Sequence, residues 1–219
     1  MVNIKTEQFA IYRENLLEWN KVMNLTAIKE PEEVNSLHFS DSCALLGFAD
    51  FKNKSVIDVG TGAGFPGLPL KIAEPSIKLT LLDSLDKRIS FLKDCCNKLS
   101  FEDVICIHAR AEEIPEGLRE SFDIAVSRAV ARLNVLSELC LPYVKPGGCF
   151  IAMKGPDFEQ ELEEAKPAIK LLGGKCSACE LYTLPGTEIT HSAIIIKKHS
   201  ETPSKFPRRF AQIKKSPLK

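Results

Sequence analysis

No apolar run in this 219-residue chain approaches the roughly 18 residues needed to cross a bilayer, so no membrane span is expected. The first residues, MVNIKTEQF, intersperse charge and lack the apolar core of a signal peptide, and a cytoplasmic protein is expected. No Ser/His/Asp set sits in a nucleophile-elbow sequence, which disfavours hydrolase chemistry. Cys176-x-x-Cys179 has no second ligand pair at zinc spacing, so no metal is expected. There is no internal repeat, and low complexity is confined to the Pro/Lys/Arg-rich end. Net charge is absent too, with 29 Lys+Arg against 29 Asp+Glu.

What is present is ordinary for one well-buried α/β domain with a small extension: 44% hydrophobic and 26% charged residues. Most of the eight cysteines lie in apolar stretches (Cys106, Cys140, Cys149) or mid-helix (Cys95, Cys96). They read as reduced thiols used as small hydrophobes. The neutral total hides an asymmetry. Between Lys197 and Lys219 stand eight Lys/Arg and one Asp/Glu, so this segment carries +7 and residues 1–196 carry −7. A basic tail on an acidic body points to a partner without naming it.

Residues 1–50 read as an N-terminal helical extension. Phe9, Tyr12, Leu16, Trp19 and Met23 recur at helical steps, and Glu32 to Leu46 forms a second amphipathic segment ending at Gly47. From Ser55 the pattern becomes strand–helix alternation through SVIDVG, LTLLD, VICIHA, FDIAVSRA and CFIAMKG. In the intervening helix DKRISFLKDCCNKLS, residues Ile89, Leu92, Cys96 and Leu99 share one side. Such alternation implies a mostly parallel sheet covered on both faces. Cys176 to Leu184 and Ser192 to Lys198 then read as two strands with no helix between, an antiparallel pair closing the sheet. The expected boundaries are a helical extension over 1–50, an α/β domain over 51–199 and a basic tail over 200–219.

The richest segment runs from Asp58 to Gly67. Gly60, Gly62 and Gly64 alternate just past a strand and open a helix, where glycine permits unusual backbone angles and close approach of a ligand. Gly62 to Gly67 also satisfies GxGxxG, so a nicotinamide-dependent oxidoreductase is an alternative, as is a plain glycine-rich turn. Asp83 ends the second strand, where a carboxylate can accept both ribose hydroxyls; the structural alternative is a helix cap. Ala111-Glu112 and Arg128 follow the third and fourth strands, at the carboxyl ends where open sheets bind ligands. Glu112 is a candidate adenine contact or a solvated loop charge. Arg128, among apolar neighbours, needs a carboxylate, phosphate or nucleotide partner. His38 and Asp41 share a helix face and offer either a polar contact above a cofactor or a packing pair.

Taken in order, NLTAIKEPEEV, HFSDS, DVGTGAGFPGLPL, LLDSLDKRISFL, RAEE, SRAVARL and LPYVKPGG resemble the ribosomal small-subunit methyltransferase G family, also called glucose-inhibited division protein B. The similarity runs from about Leu16 to the end, and TPSKFPRRFAQIKKSPL resembles the C-terminal extension of Gram-positive members. The resemblance implies a Rossmann-like class I methyltransferase sheet with an antiparallel last strand. It also implies methyl transfer from S-adenosylmethionine to N7 of one guanine in 16S rRNA, within the 30S subunit or its precursor. It carries cofactor positions onto Gly60, Phe65, Ala111, Glu112 and Arg128, with Gly62, Gly64 and Asp83 beside them. Arg128 and Lys154 are candidates for orienting the guanine through its N7/O6 edge. Lys205, Arg208, Arg209, Lys214 and Lys215 either neutralise RNA phosphates or form a solubilising disordered end. A non-catalytic RNA-binding module is a further alternative, and a monomer is expected.

Overall fold

The computed structural model describes residues 2–128 and 131–219. Ala129 and Val130 of the SRAVARL motif lie outside them. Helix α1 (Glu7–Asn20) and the short α2 (Pro31–Val34) lead into a π-helical turn at Asn35–Ser40. The run then continues through α3 (Asp41–Cys43) and a 3₁₀ turn at Ala44–Gly47. Next come β1 (Ser55–Val59), α4 (Gly67–Ala73), β2 (Lys78–Asp83), α5 (Asp86–Lys98), β3 (Ile105–His108) and β4 (Phe122–Arg128). The chain ends with α6 (Leu133–Cys140), β5 (Val144–Lys154), α7 (Glu159–Leu171), β6 (Gly174–Thr183), β7 (Thr190–Lys198) and α8 (Phe210–Lys215).

The seven strands form one sheet in the order β3-β2-β1-β4-β5-β7-β6. β1 through β5 pair in parallel, whereas β7 slots antiparallel between β5 and β6. The expected antiparallel closing pair is present, with the last strand inserted rather than appended.

Alternate side chains of each strand feed two cores. Val56, Leu81, Ile124 and Ile151 face the side covered by α1, α4 and α5. Their neighbours Ile57, Leu82, Ala125 and Phe150 face the side covered by α6, α7 and α8. In α5 the anticipated stripe Ile89, Leu92, Cys96 and Leu99 is buried.

In the N-terminal region Phe9, Tyr12 and Leu16 are buried as their spacing predicts, but Met23 lies beyond the helix. The cause is Asn20. Its side-chain oxygen accepts the Leu25 and Thr26 amides, and its amide nitrogen donates to the Thr26 carbonyl. Such local bonds offer the backbone an alternative to another helical turn. The second helical segment is interrupted by the π-helical turn, which carries His38 and leads directly into Asp41.

The tail departs from a disordered end. Thr202, Phe206 and Ile213 are buried, and Lys198 is enclosed with its ammonium on Glu120, Thr202 Oγ1 and the Leu141 carbonyl. Arg119 donates to the carbonyls of Thr202 and Phe206, tying the segment to the domain.

Candidate functional site

The strand order reverses between β1 and β4, and at that switch point the carboxyl ends of the strands open a crevice. The glycine turn sits there. Gly60, Gly62 and Gly64 have φ of 71°, 61° and 95°, a region costly for residues with a Cβ. The Gly60 and Thr61 amides donate to the Leu82 carbonyl at 2.9 and 3.1 Å, stitching the turn to the end of β2.

Asp58, fully buried at the end of β1, holds both ends of the turn: its Oδ2 accepts from Thr61 Oγ1 at 2.7 Å and from the Gly67 amide at 2.8 Å. A Cβ at residue 67 would stand 2.9 Å from that oxygen, which is why glycine is needed there. Burial pushes the Asp58 carboxyl up to about 7, against the hydrogen bonds that favour its charge. From the other side, the buried Tyr12 hydroxyl donates to the Ala63 carbonyl. The N-terminal extension thus braces the turn directly.

Asp83 is buried and cross-links the turn to β2. Its Oδ2 accepts from the Gly62 amide at 2.9 Å and from Arg88 at 3.3 Å, and its Oδ1 accepts from the Leu85 amide. The Leu85 bond ties Asp83 to the start of α5, whose N-cap residue is Leu85 itself, so Asp83 stands two residues outside the cap position. A carboxylate has about four lone-pair sites, and three donors leave capacity toward the crevice. Around it lies a cleft of about 320 Å³ lined by Gly60, Asp83, Ala111, Glu112, Leu136 and Phe210, among others. Glu112 is paired with Arg110 at 2.8 Å, and the Tyr143 hydroxyl donates to the Ala111 carbonyl at 3.0 Å.

A second cleft of about 450 Å³ opens on the β4/β5 side of the turn, lined by His38, Asp41, Arg128, Met153, Lys154 and His191, among others. Phe65 stands at its border with the turn. The His38 ring stacks on it at 4.4 Å and the Arg128 guanidinium lies 4.7 Å from its centroid. The partner that Arg128 requires is Asp41, at 3.0 Å.

Asp41 Oδ1 also accepts from the Tyr182 hydroxyl and from His191 Nδ1, each at 2.8 Å. Burial opposes ionisation of Asp41, but the His191 bond and the Arg128 charge outweigh it and hold the carboxyl below its ordinary range. That same bond raises His191. Burial, joined by the Arg128 charge, pushes His38 down to about 4 and leaves it neutral at pH 7. Because Arg128 donates to His38 Nδ1 at 3.1 Å, the ring proton is assigned to Nε2, which faces Thr26 Oγ1 at 2.8 Å. Lys154 donates to Glu161 at 2.7 Å and to the Ala131 carbonyl at 2.6 Å.

A family model described as rRNA small subunit methyltransferase G (GidB) matches residues 5–187. The chain belongs to that family. A protein named ribosomal RNA small subunit methyltransferase G from Alkaliphilus metalliredigens is 50% identical over 218 residues, covering 98% of this chain and 91% of its own. One of the same name from Bacillus cereus is 51% identical over 215 residues, covering 97% and 90%.

Among solved structures, a Burkholderia thailandensis 1,6-didemethyltoxoflavin-N1-methyltransferase with bound S-adenosylhomocysteine superposes with a TM-score of 0.58 at 12% identity, covering 87% of this chain and 88% of that one. The TYW2 protein of M. jannaschii in complex with AdoMet gives 0.57 at 15% identity, covering 71% and 74%. The fold is thus that of the class I Rossmann-like methyltransferases.

Within this family frame, Gly60, Asp83, Ala111 and Glu112 line the first cleft and Arg128 and Lys154 line the second, whereas Gly62 and Gly64 line neither and Phe65 lies behind His38 and Arg128. Arg208 departs from the role expected of a tail cation. It does not face solvent as a phosphate ligand but forms a bidentate pair with Glu138, which is wholly buried in α6. Tyr12, Asp58, His191, Tyr182 and Phe210 join these sites from the fold rather than from any motif. Only Asp58 carried a signal, a lone carboxylate inside the apolar strand SVIDV.

Proposed function

We propose that the protein transfers the methyl group of S-adenosylmethionine to N7 of a guanine in 16S rRNA. The observation that carries this reading is a pair of clefts at the carboxyl ends of the strands, one with a carboxylate and apolar walls suited to a nucleoside, the other rich in donors and poor in free base. The first has the volume of a small-molecule site, a carboxylate at the end of β2 and apolar walls from Leu136 and Leu139. Asp83 would accept the ribose hydroxyls, the glycine turn would let the amino-acid end lie close to the backbone, and Glu112 would meet the adenine edge. When bound, the sulfonium supplies an activated methyl group.

Guanine N7 presents an in-plane lone pair at neutral pH, so the transfer asks for position rather than for proton abstraction. The second cleft suits that demand. His38 is neutral with both ring nitrogens engaged, and Asp41 is held below the ordinary carboxylate range by His191, Arg128 and Tyr182, so neither serves as a base. Lys154 and Arg128 are the candidates to hold the guanine acceptor edge at near-attack distance, roughly 3–3.5 Å from the methyl carbon. Both have carboxylate partners, Glu161 and Asp41, which leave further N–H groups for a substrate. The exposed Lys205, Arg209, Lys214 and Lys215 would meet RNA phosphates. The family name and the relatives' names support the small-subunit RNA target. A monomer acting in the cytoplasm on the 30S particle or its precursor is the accompanying proposal.

The test is transfer of radiolabelled methyl to unmethylated 30S particles and to naked 16S rRNA, with mapping of the modified base. Label at one guanine N7 is expected, with thermal stabilisation of the protein by S-adenosylhomocysteine and not by NAD. Stabilisation by NAD alone would favour the oxidoreductase. Cofactor binding without transfer to either RNA would leave a non-catalytic module.

A further inference from the structure

The C-terminal segment reaches a place its basic composition does not suggest. After β7 the chain crosses the α6/α7 face of the sheet, where Phe206 and Ile213 are buried. Glu138, wholly buried in α6, accepts the backbone amide of Arg208 at 2.9 Å, its Nε at 2.8 Å and its NH2 at 2.6 Å. Asn134, also on α6, donates to the Leu218 carbonyl. Two residues past Arg208, Phe210 lines the first cleft beside Ala111, Glu112, Leu136 and Leu139. The Arg110 guanidinium lies 6.0 Å from the Phe210 ring.

We propose that Phe210 is the outer wall of the nucleobase slot, and that the Arg208–Glu138 pair is the device that sets it there. This deepens, and rests on, the S-adenosylmethionine reading of the same cleft. The physical case is compositional as well as geometric. Apart from Phe210, the apolar lining of this cleft is aliphatic, supplied by Val59, Leu82, Leu136 and Leu139 and by alanines. A flat aromatic face is what a purine stacks on, and Phe210 is the one aromatic ring that the cleft lining contains among the described residues. Phe210 itself is half-buried, so its ring closes the cleft without being consumed by the core. Arg208 is therefore a positioning residue: it touches no ligand, but its charge pair fixes the entry of the six-residue α8 that carries Phe210.

The experiment is titration calorimetry of the full chain with S-adenosylhomocysteine and with adenosine, alongside steady-state methylation of 30S particles. The variants are Phe210→Ala, Phe210→Leu and Phe210→Tyr. Losing the ring should weaken both ligands by a similar factor, about tenfold for the Ala and Leu variants, from the usual strength of base–aromatic stacking. KM for S-adenosylmethionine should rise in parallel, with KM for 30S particles unchanged. Phe210→Tyr, which keeps the ring, should bind as the wild type does. Phe210→Leu keeps apolar bulk at the cleft mouth, so it separates loss of the stack from loss of fold, and unligated melting temperatures check that directly.

Unchanged affinity of the Leu variant for both ligands would overturn the proposal, as would a rise in KM for 30S particles alone. Wild-type protein that binds neither ligand would instead sink the cofactor reading itself.

Discussion

Replacing Arg208 by Ala separates two roles that its sequence context left open, an RNA contact and an internal tie. Glu138 has no solvent exposure and the Arg208 side chain is only 16% exposed. The substitution removes two charge-assisted hydrogen bonds and leaves a buried carboxylate with only the residue 208 amide. Breaking a buried pair from one side costs about 3–5 kcal/mol. For a chain of this size each kcal/mol lowers the melting temperature by about 2–4 °C, so a fall of roughly 10 °C is expected by calorimetry or circular dichroism.

The double variant Glu138→Gln, Arg208→Met removes both charges and should recover all but about 1 kcal/mol, since the penalty lies mostly in the orphaned charge. If Arg208 served RNA instead, Arg208→Ala would leave the melt untouched and lower the salt slope of rRNA binding by about one. A melting temperature within about 2 °C of wild type refutes the internal tie.

Three further outcomes follow from the same geometry. The raised Asp58 carboxyl keeps its proton in the folded state where the unfolded chain has lost it, so it costs stability as pH rises from about 4 to about 7. Asp58→Asn should therefore gain on the wild type across that window, by urea melts at each pH, and a difference independent of pH would refute it. Gly64→Ala places a Cβ 2.6 Å from Leu68 Cδ1 and 2.7 Å from the Tyr12 hydroxyl at positive φ, whereas the same change at Gly62 meets open space. Losses of roughly 2–4 and about 1 kcal/mol are expected in chemical denaturation, and equal losses would contradict the packing argument. His191, raised by its bond to Asp41, should stabilise the fold most fully below its unfolded pKa of about 6.5 and lose that advantage as pH climbs through its raised value. His191→Gln compared with wild type over pH 5 to 9 reads this directly, and a flat difference would exclude it.

The elements that sequence alone resolved are those whose signal is local. Glycines at alternate positions after an apolar run announce a turn, and Ile89, Leu92, Cys96 and Leu99 announce a buried face, because backbone freedom and helical period act over a few residues. Asp83 was placed by the same logic, as the polar residue where an apolar strand ends. In the second cleft Arg128, Lys154, His38 and Asp41 each stand out singly, but nothing local announces that they share one site. Asp41 and His191 are 150 positions apart, and Asp41 and Arg128 are 87. Nothing in HFSDS specifies that a π-helical turn will swing His38 and Asp41 toward β4. Glu138 in VLSELC and Arg208 in FPRRF each look like solvated charges until the fold brings them together.

A glycine turn after the first strand of a mostly parallel sheet, and a carboxylate at the end of the second, can be read from residue order alone. The order of motifs also resembles one methyltransferase family. Which charges are spent internally and which face a cleft follows from the three-dimensional packing. Arg208 was resolved as an anchor, Arg128 as the partner of Asp41, and Phe210 as a wall of the first cleft. Hydrophobic period reports burial along one element, whereas the fate of a charge depends on which distant group shares its dehydrated site.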